Sequence, residues 1–134
     1  MSRSSKEVFY HGKDFTKDFG YAQAVTVGST LYISGTVSLD DEGKLVAPGD
    51  IRGQTRRIYE DLQRILEVHG VTFSDVIKEA IFTTDIDRFK EEAMPVRAEF
   101  YQGHTLPASS AWLQVSRLAF PEFLVEIEAI AVLP

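Results

Sequence analysis

Phe123-Leu-Val-Glu-Ile-Glu-Ala-Ile-Ala-Val-Leu133 decides the reading of this chain. Its small and β-branched apolar residues read as a strand, and they fall on both alternating faces, so the strand is expected to be buried. Two carboxylates, Glu126 and Glu128, nevertheless sit on one face of it, two residues apart. A buried carboxylate is costly without a partner or a task. Just upstream, Pro107-Ala-Ser-Ser-Ala-Trp-Leu-Gln-Val115 reads as a second strand, free of charge and carrying Ser109, Ser110 and Trp112. An acid in one apolar strand and a polar edge in the next is the arrangement that a small-molecule site needs.

Working outward, residues 8–10 read as a short edge strand and residues 11–20 as a polar loop bounded by glycine. Residues 21–27 and 30–36 are β-rich runs joined by Gly28-Ser29, a hairpin signal. A polar loop over 39–49 leads to a helix predicted over 51–69. There Ile51, Ile58, Leu62, Ile65 and His69 share one face, and Gly70 is the stop. Residues 76–84 form the next strand. Asp85 or Asp87 caps a second helix, in which Phe89, Ala93, Val96 and Phe100 recur at helical spacing and Pro95 forces a bend or an interruption. The order β-ββ-α-β-α-β-β is that of an α+β fold with its helices on one face of a mixed sheet. In the strand 76–84, Lys78, Ala80, Phe82 and Thr84 alternate with Ile77, Glu79, Ile81 and Thr83, and neither set is solvent-like. A sheet apolar on both sides with helices on only one is expected to bury its other face by self-association.

Composition narrows the functional classes. A chain of 134 residues makes a single domain over 1–134, with room for one real core. It contains no cysteine, which removes disulfides, thiol nucleophiles and cysteine metal sites. The net charge of −6 argues against nucleic acid as a partner, because counterion release needs clustered basic charge. The first residues lack the apolar core of a signal peptide, and no apolar run is long enough to span a bilayer. A cytoplasmic protein with no membrane partner is therefore expected.

Gly20-Tyr-Ala-Gln-Ala-Val25, Leu31-Tyr-Ile-Ser-Gly35, Gly49-Asp-Ile-Arg-Gly-Gln-Thr55, Phe82-Thr-Thr-Asp85 and Val125-Glu-Ile-Glu-Ala-Ile-Ala131 together resemble the Rid family, also called the YjgF family. The resemblance runs in matching order over nearly the whole chain from about Tyr21. It implies a chorismate-mutase-like α+β fold with two helices on one sheet face. It also implies a homotrimer whose sheets form a central barrel, with ligand sites in clefts between subunits. Many members hydrolyse reactive enamines and imines, such as 2-aminoacrylate, to 2-oxo acids and ammonia without a cofactor.

That resemblance assigns roles one residue at a time. Tyr21 matches the site tyrosine, placed to hydrogen-bond or stack on a planar imine, or else to pack at the subunit seam. Ser34-Gly35 matches a Ser-Gly pair that supplies a hydroxyl and a close backbone approach, or else a strand bulge. Glu126 matches the water-orienting glutamate; shielding at a seam would raise its pKa and suit it to proton transfer. The alternative is a buried ion pair with Arg117 or Lys78, and Glu128 is read as structural. One feature departs from the pattern. The arginine with which deaminating members grip a substrate carboxylate falls on Ser109 or Ser110, neither of which replaces a guanidinium. A family asparagine falls near Met94, and Trp112 brings a ring towards the cleft or packs in the core or interface. 2-Aminoacrylate is accordingly not the expected natural substrate, and Arg117 is expected to serve the loop before Pro121 instead of replacing the arginine.

Other chemistries find little support. His11, His69 and His104 lack metal-ligand spacing; His69 reads as structural, and His104 as a loop residue that lines the cleft or does not. There is no phosphate-cradling loop or nucleophile elbow. Arg52, Arg56, Arg57 and Arg64 interleave with Glu60 and Asp61 and read as a solvated helix face. Two classes remain: a cofactor-free hydrolase of an enamine, imine or related metabolite, and a non-catalytic trimeric module that binds a small molecule or a protein in the same cleft.

Overall fold

The strand formed by the decisive stretch, β6 (Val125–Val132), lies inside a six-stranded mixed sheet. The computed structural model describes residues 5–10 and 15–134. The other strands are β1 (Lys6–Phe9), β2 (Ala24–Val27), β3 (Thr30–Thr36), β4 (Val76–Thr83) and β5 (Ala108–Gln114). Their order is β1-β2-β3-β6-β4-β5, antiparallel throughout except for the parallel pair β4–β5. The helices are α1 (Phe15–Asp18), α2 (Ile51–Val68), α3 (Ile86–Arg88) and α4 (Met94–Tyr101). This is the expected α+β architecture of a mixed sheet with few helices.

Alternation in β6 sorts the two faces. Val125, Ile127, Ala129 and Ala131 are buried, against Ile58, Leu62, Ile65 and Leu66 of α2 in one core. Glu126, Glu128, Ile130 and Val132 point the other way, onto a face no helix covers. On that open face cross-strand register aligns Val27, Thr30 and Val132 in one row and Val25, Tyr32 and Ile130 in another. Val27, Tyr32 and Val132 are exposed there.

Local chemistry explains the helix ends. The Asp50 carboxylate accepts from the Gly53 amide at 3.1 Å and caps α2. At the other end Gly70 takes a positive φ of 75°, and the His69 ring Nδ1–H donates to the Ile65 carbonyl at 2.7 Å. Asp85, one of the two candidates, caps α3 through the Arg88 amide at 3.0 Å. Pro95 acts as anticipated. Residues Phe89–Ala93 form a π-helical turn in which the Met94 amide reaches back to the Phe89 carbonyl, and α4 starts afresh with Pro95 in its first turn.

Two differences from the sequence reading stand out. Within the stretch read as a loop, residues 11–14 lie outside the described residues, and Phe15–Asp18 is a helical turn. It holds because the Thr16 carbonyl accepts from both the Phe19 and Tyr21 amides. The strand read from residue 21 begins at Ala24, which leaves Tyr21 free of the ladder.

The ambiguity of β4 resolves with Glu79, Ile81 and Thr83 buried, while Ile77 is 50% exposed where the ladder with β6 shifts between Val76 and Lys78. Glu79 is 2% exposed and fully partnered. Tyr59 donates to Oε1 at 3.1 Å, Arg97 Nε to Oε1 at 2.8 Å and Tyr101 to Oε2 at 2.9 Å. One carboxylate thus ties the sheet to α2 and α4. Burial, then the Glu79 charge, holds both phenols well above their ordinary pKa. Removing the anion strands the Arg97 guanidinium, whose side chain is only 14% exposed, against the Tyr101 ring. Glu79→Ala is expected to cost about 3–5 kcal/mol in urea unfolding at fixed protein concentration, and most of that loss should be absent when Glu79→Leu is combined with Arg97→Met. A loss below about 1 kcal/mol in the single variant, the range of a surface pair, contradicts this account.

Candidate active site

Glu126 and Gly35 meet where the β3–β6 ladder is irregular. The register shifts between Ile33 and Thr36, and the Glu126 carboxylate lies over Gly35. A Cβ on Gly35 would stand 2.6 Å from Glu126 Oε2, so a larger residue there would push the carboxylate out of this position. Ser34 lies next to it, with its hydroxyl donating to the Ala22 carbonyl at 2.6 Å. That bond, with the Ser34 amide donating to the Gln23 carbonyl, holds the segment carrying Tyr21 against β3. Tyr21 is 40% exposed at the rim.

Two clefts share Tyr21, Val37 and Leu39. The polar one runs towards α2 between Thr16, Ser34, Gly35, Arg57, Asp61 and Arg64. The apolar one is walled by Phe19, Phe120 and Phe123 with Glu126 at its edge. Glu126 is half-buried, and among the described residues no hydrogen bond or ion pair engages its carboxylate; Lys78 and Arg117 do not reach it. Burial, then the neighbouring Glu128, pushes its pKa up. Burial, then the Glu126 charge, raises the Tyr21 phenol, which therefore stays protonated beside the carboxylate. A carboxylate that takes up a proton readily, next to a phenolic donor at the mouth of a cleft, is equipped for proton transfer.

The helix face read as solvated is a correction. Asp61 is buried, and its Oδ1 contacts Arg57 Nη2 at 3.3 Å and Arg64 Nη2 at 3.0 Å. Both guanidinium groups also reach Asp41 Oδ1, at 3.2 and 3.3 Å, and Arg57 Nε donates to the Leu39 carbonyl at 3.0 Å. The pairing expected on a helix surface is instead a clamp that docks the loop after β3 on α2. Arg52 and Glu60 do face solvent, and Arg56 pairs with Glu99 at 2.9 Å. The sequence offered one signal for the clamp, a run of aspartates in the loop at Asp40-Asp41 facing a basic helix.

The structure gathers Tyr21, Ser34, Gly35 and Glu126 at one place, and holds Ser109 and Trp112 apart from them in the single chain. Both lie on β5, at the far edge of the sheet, opposite Glu79 and Ile81 of β4, and Trp112 is 40% exposed. Ser110 is in the same strand, its side chain outside the described residues. His104 is remote from the cleft: its Nδ1 shares a 2.9 Å hydrogen bond with the Ser74 hydroxyl while its ring packs on Phe73. His11 lies outside the described residues. Arg117 serves its own loop, donating to the Leu118 and Ala119 carbonyls at 3.2 Å each. Met94 packs against the core. Among the described residues no cluster of acidic and histidine side chains is arranged to hold a metal, and no helix is long and apolar enough to cross a membrane.

A family model, endoribonuclease L-PSP, matches residues 14–133. The chain belongs to the Rid (YjgF) family. It is 35% identical over 127 residues to a RutC family protein of Pyrococcus abyssi, covering 95% of this chain and 97% of that one. It is 37% identical over 112 residues to the 2-iminobutanoate/2-iminopropanoate deaminase of Mus musculus, covering 84% and 80%. The crystal structure of YyfA, a Rid family protein of Yersinia pestis, superposes with a TM-score of 0.85 at 30% identity over 96% of this chain and all of that one. This Rid chain therefore has both the family fold and deaminases among its relatives.

The Asp61 clamp makes a pH prediction. Burial outweighs Arg57 and Arg64 and lifts Asp61 from 3.8 to about 6. The folded state then binds this proton more tightly than the unfolded chain. The resulting stabilisation is complete below pH 3.8 and is lost as pH rises through about 6. A carboxyl NMR titration should place the Asp61 midpoint near 6. A midpoint at or below the ordinary 3.8 would mean that the guanidinium pair dominates.

Proposed function

We propose that this Rid protein hydrolyses a reactive imine or enamine, releasing ammonia, in clefts completed by a neighbouring subunit of a homotrimer. The observation that carries the reading is the Glu126 carboxylate, half-buried, without a cationic partner among the described residues and seated on Gly35 below the Tyr21 phenol. Imine hydrolysis asks for water placed at the imine carbon and for a base that accepts one of its protons. Glu126 supplies that base, and its raised pKa lets it return the proton to the departing nitrogen. Tyr21, kept protonated, donates a hydrogen bond to the imine nitrogen or stacks on its plane. Ser34 acts mainly by positioning the Tyr21 segment, since its proton is committed to Ala22. The reaction draws on water and proton transfers, so no cofactor is assigned. The relationship to the mouse 2-iminobutanoate/2-iminopropanoate deaminase supports the reaction class.

The trimer, with its chorismate-mutase-like barrel, rests on the open sheet face. Val27, Tyr32 and Val132 expose apolar surface at 39%, 48% and 40% where no helix packs, and a symmetric assembly would bury it. In such an assembly the β5 edge carrying Ser109, Ser110 and Trp112 meets the neighbour's cleft. Without a guanidinium there, a substrate whose main handle is a carboxylate, such as 2-aminoacrylate, is bound weakly.

Light scattering at micromolar concentration should return about three times the chain mass of 15.0 kDa; a clean monomer removes the shared cleft. Glu126→Gln preserves shape and should lower imine turnover by about 10²–10⁴ with the assembly intact. Full turnover in that variant would make Glu126 structural. A wild-type protein that binds imines without hydrolysing them would favour the binding-module reading.

A further inference from the structure

Resting on the hydrolase reading, the walls of the two clefts also say what kind of imine enters. Among the described residues, the charged side chains lining them are Asp40, Asp41, Asp61 and Glu126 on the acidic side and Arg57 and Arg64 on the basic side. Both guanidinium groups are already engaged by acids, Asp61 and Asp41, at 3.0–3.3 Å, and their one buried donor left without a partner among the described residues is Arg64 Nε. Arg117 lines neither cleft and is tied to two loop carbonyls. A substrate carboxylate entering here meets more acids than cations among the described residues, which disfavours it relative to a neutral or protonated imine. Polar capacity for a neutral group is present. Thr16 is 3% exposed with its hydroxyl unpartnered among the described residues.

Beyond Tyr21 the wall turns apolar. Phe19 and Phe120 contact edge to face at 6.0 Å, and Phe120 and Phe123 at 5.4 Å. Phe19 and Phe120 are 60% and 43% exposed, over a floor of Val37 and Leu39, with the Glu126 carboxylate at the edge. Two exposed phenyl rings over an apolar floor form a receptacle for an apolar or aromatic substituent attached to the reacting carbon.

We infer that the preferred substrate is an imine R–CH=NH with an apolar or aromatic R and no carboxylate, the product of two-electron oxidation of a primary amine. The water oxygen bonds to the imine carbon while the C=N π pair moves to nitrogen, which takes up a proton. The carbinolamine then breaks its C–N bond, releases ammonia and leaves an aldehyde, so that R–CH=NH + H2O gives R–CHO + NH3. The reaction that supplies this substrate is an amine oxidation, and the one that consumes the product acts on an aldehyde.

A matched pair of substrates tests the inference. A flavin amine oxidase acting on 2-phenylethylamine and an amino-acid oxidase acting on phenylalanine make imines that differ only by the carboxylate. Consumption of each is followed by competition with semicarbazide, with and without the protein. The amine-derived imine should be accelerated at least about tenfold more than the amino-acid-derived one. Phe120→Ala should lower the acceleration of the amine-derived imine roughly ten- to a hundredfold, the range for losing one aromatic contact surface. Asp41→Asn, which releases part of the guanidinium pair, should narrow the preference by speeding the carboxylate-bearing imine. Equal or greater acceleration of the phenylalanine-derived imine, or variants that leave the ratio and the rate unchanged, would overturn the inference and leave the hydrolase reading standing. Acceleration of neither imine by the wild-type protein would overturn both.

Discussion

The alternation of side chains along β6 is the constraint on which the rest of the molecule depends. Val125, Ile127, Ala129 and Ala131 must face α2, because together with Ile58, Leu62, Ile65 and Leu66 they make up the centre of the core. With a period of two, that placement sends Glu126 and Glu128 to the other side. A slip by one residue would bury two carboxylates under a helix and expose four apolar side chains. The position of the Glu126 carboxylate is thus fixed by the core, and the cleft beside it inherits the rigidity of the central strand.

The molecule holds buried acids of different kinds, and the contrast shows which has work left to do. Glu79 receives three donors and is closed to anything else; it is a structural tie between the sheet and two helices. Asp61 is closed as well, by Arg57 and Arg64, and anchors a loop. Glu126 alone of these three lacks a partner among the described residues, and Gly35 gives it room. A desolvated carboxylate kept without a counter-charge costs stability, and such a cost persists where proton transfer needs it.

What could be read from the sequence follows the same physics. Periodicity placed β3, β6, α2 and the interrupted second helix, because each buries a regular stripe of apolar side chains and Pro95 leaves a backbone signature. The family resemblance singled out Tyr21, Ser34, Gly35 and Glu126, which lie together in the fold, and also Ser109 and Trp112, which in the single chain lie apart from them on the edge strand. The clamp was misread, because Arg57 and Asp61 have the same spacing whether they face water or a docked loop; only the distant Asp41 distinguishes the cases. The turn at Phe15–Asp18 was missed because its stability comes from carbonyl bonds and from the burial of Thr16, neither of which leaves a pattern in so short a polar segment. The facing of β4 stayed open in the sequence because the partners of Glu79, namely Tyr59, Arg97 and Tyr101, come from helices on either side of the strand in sequence.

The central claim is that Glu126 is a proton-transfer group whose burial sets its titration. The pH dependence of kcat/KM for imine hydrolysis tests it most directly, because that profile reports the essential groups of the free enzyme. The account predicts an acidic limb with a midpoint above the ordinary glutamate value of 4.5, and disappearance of that limb in Glu126→Gln. A limb that persists unchanged in the variant, or a wild-type midpoint at or below 4.5, would contradict it.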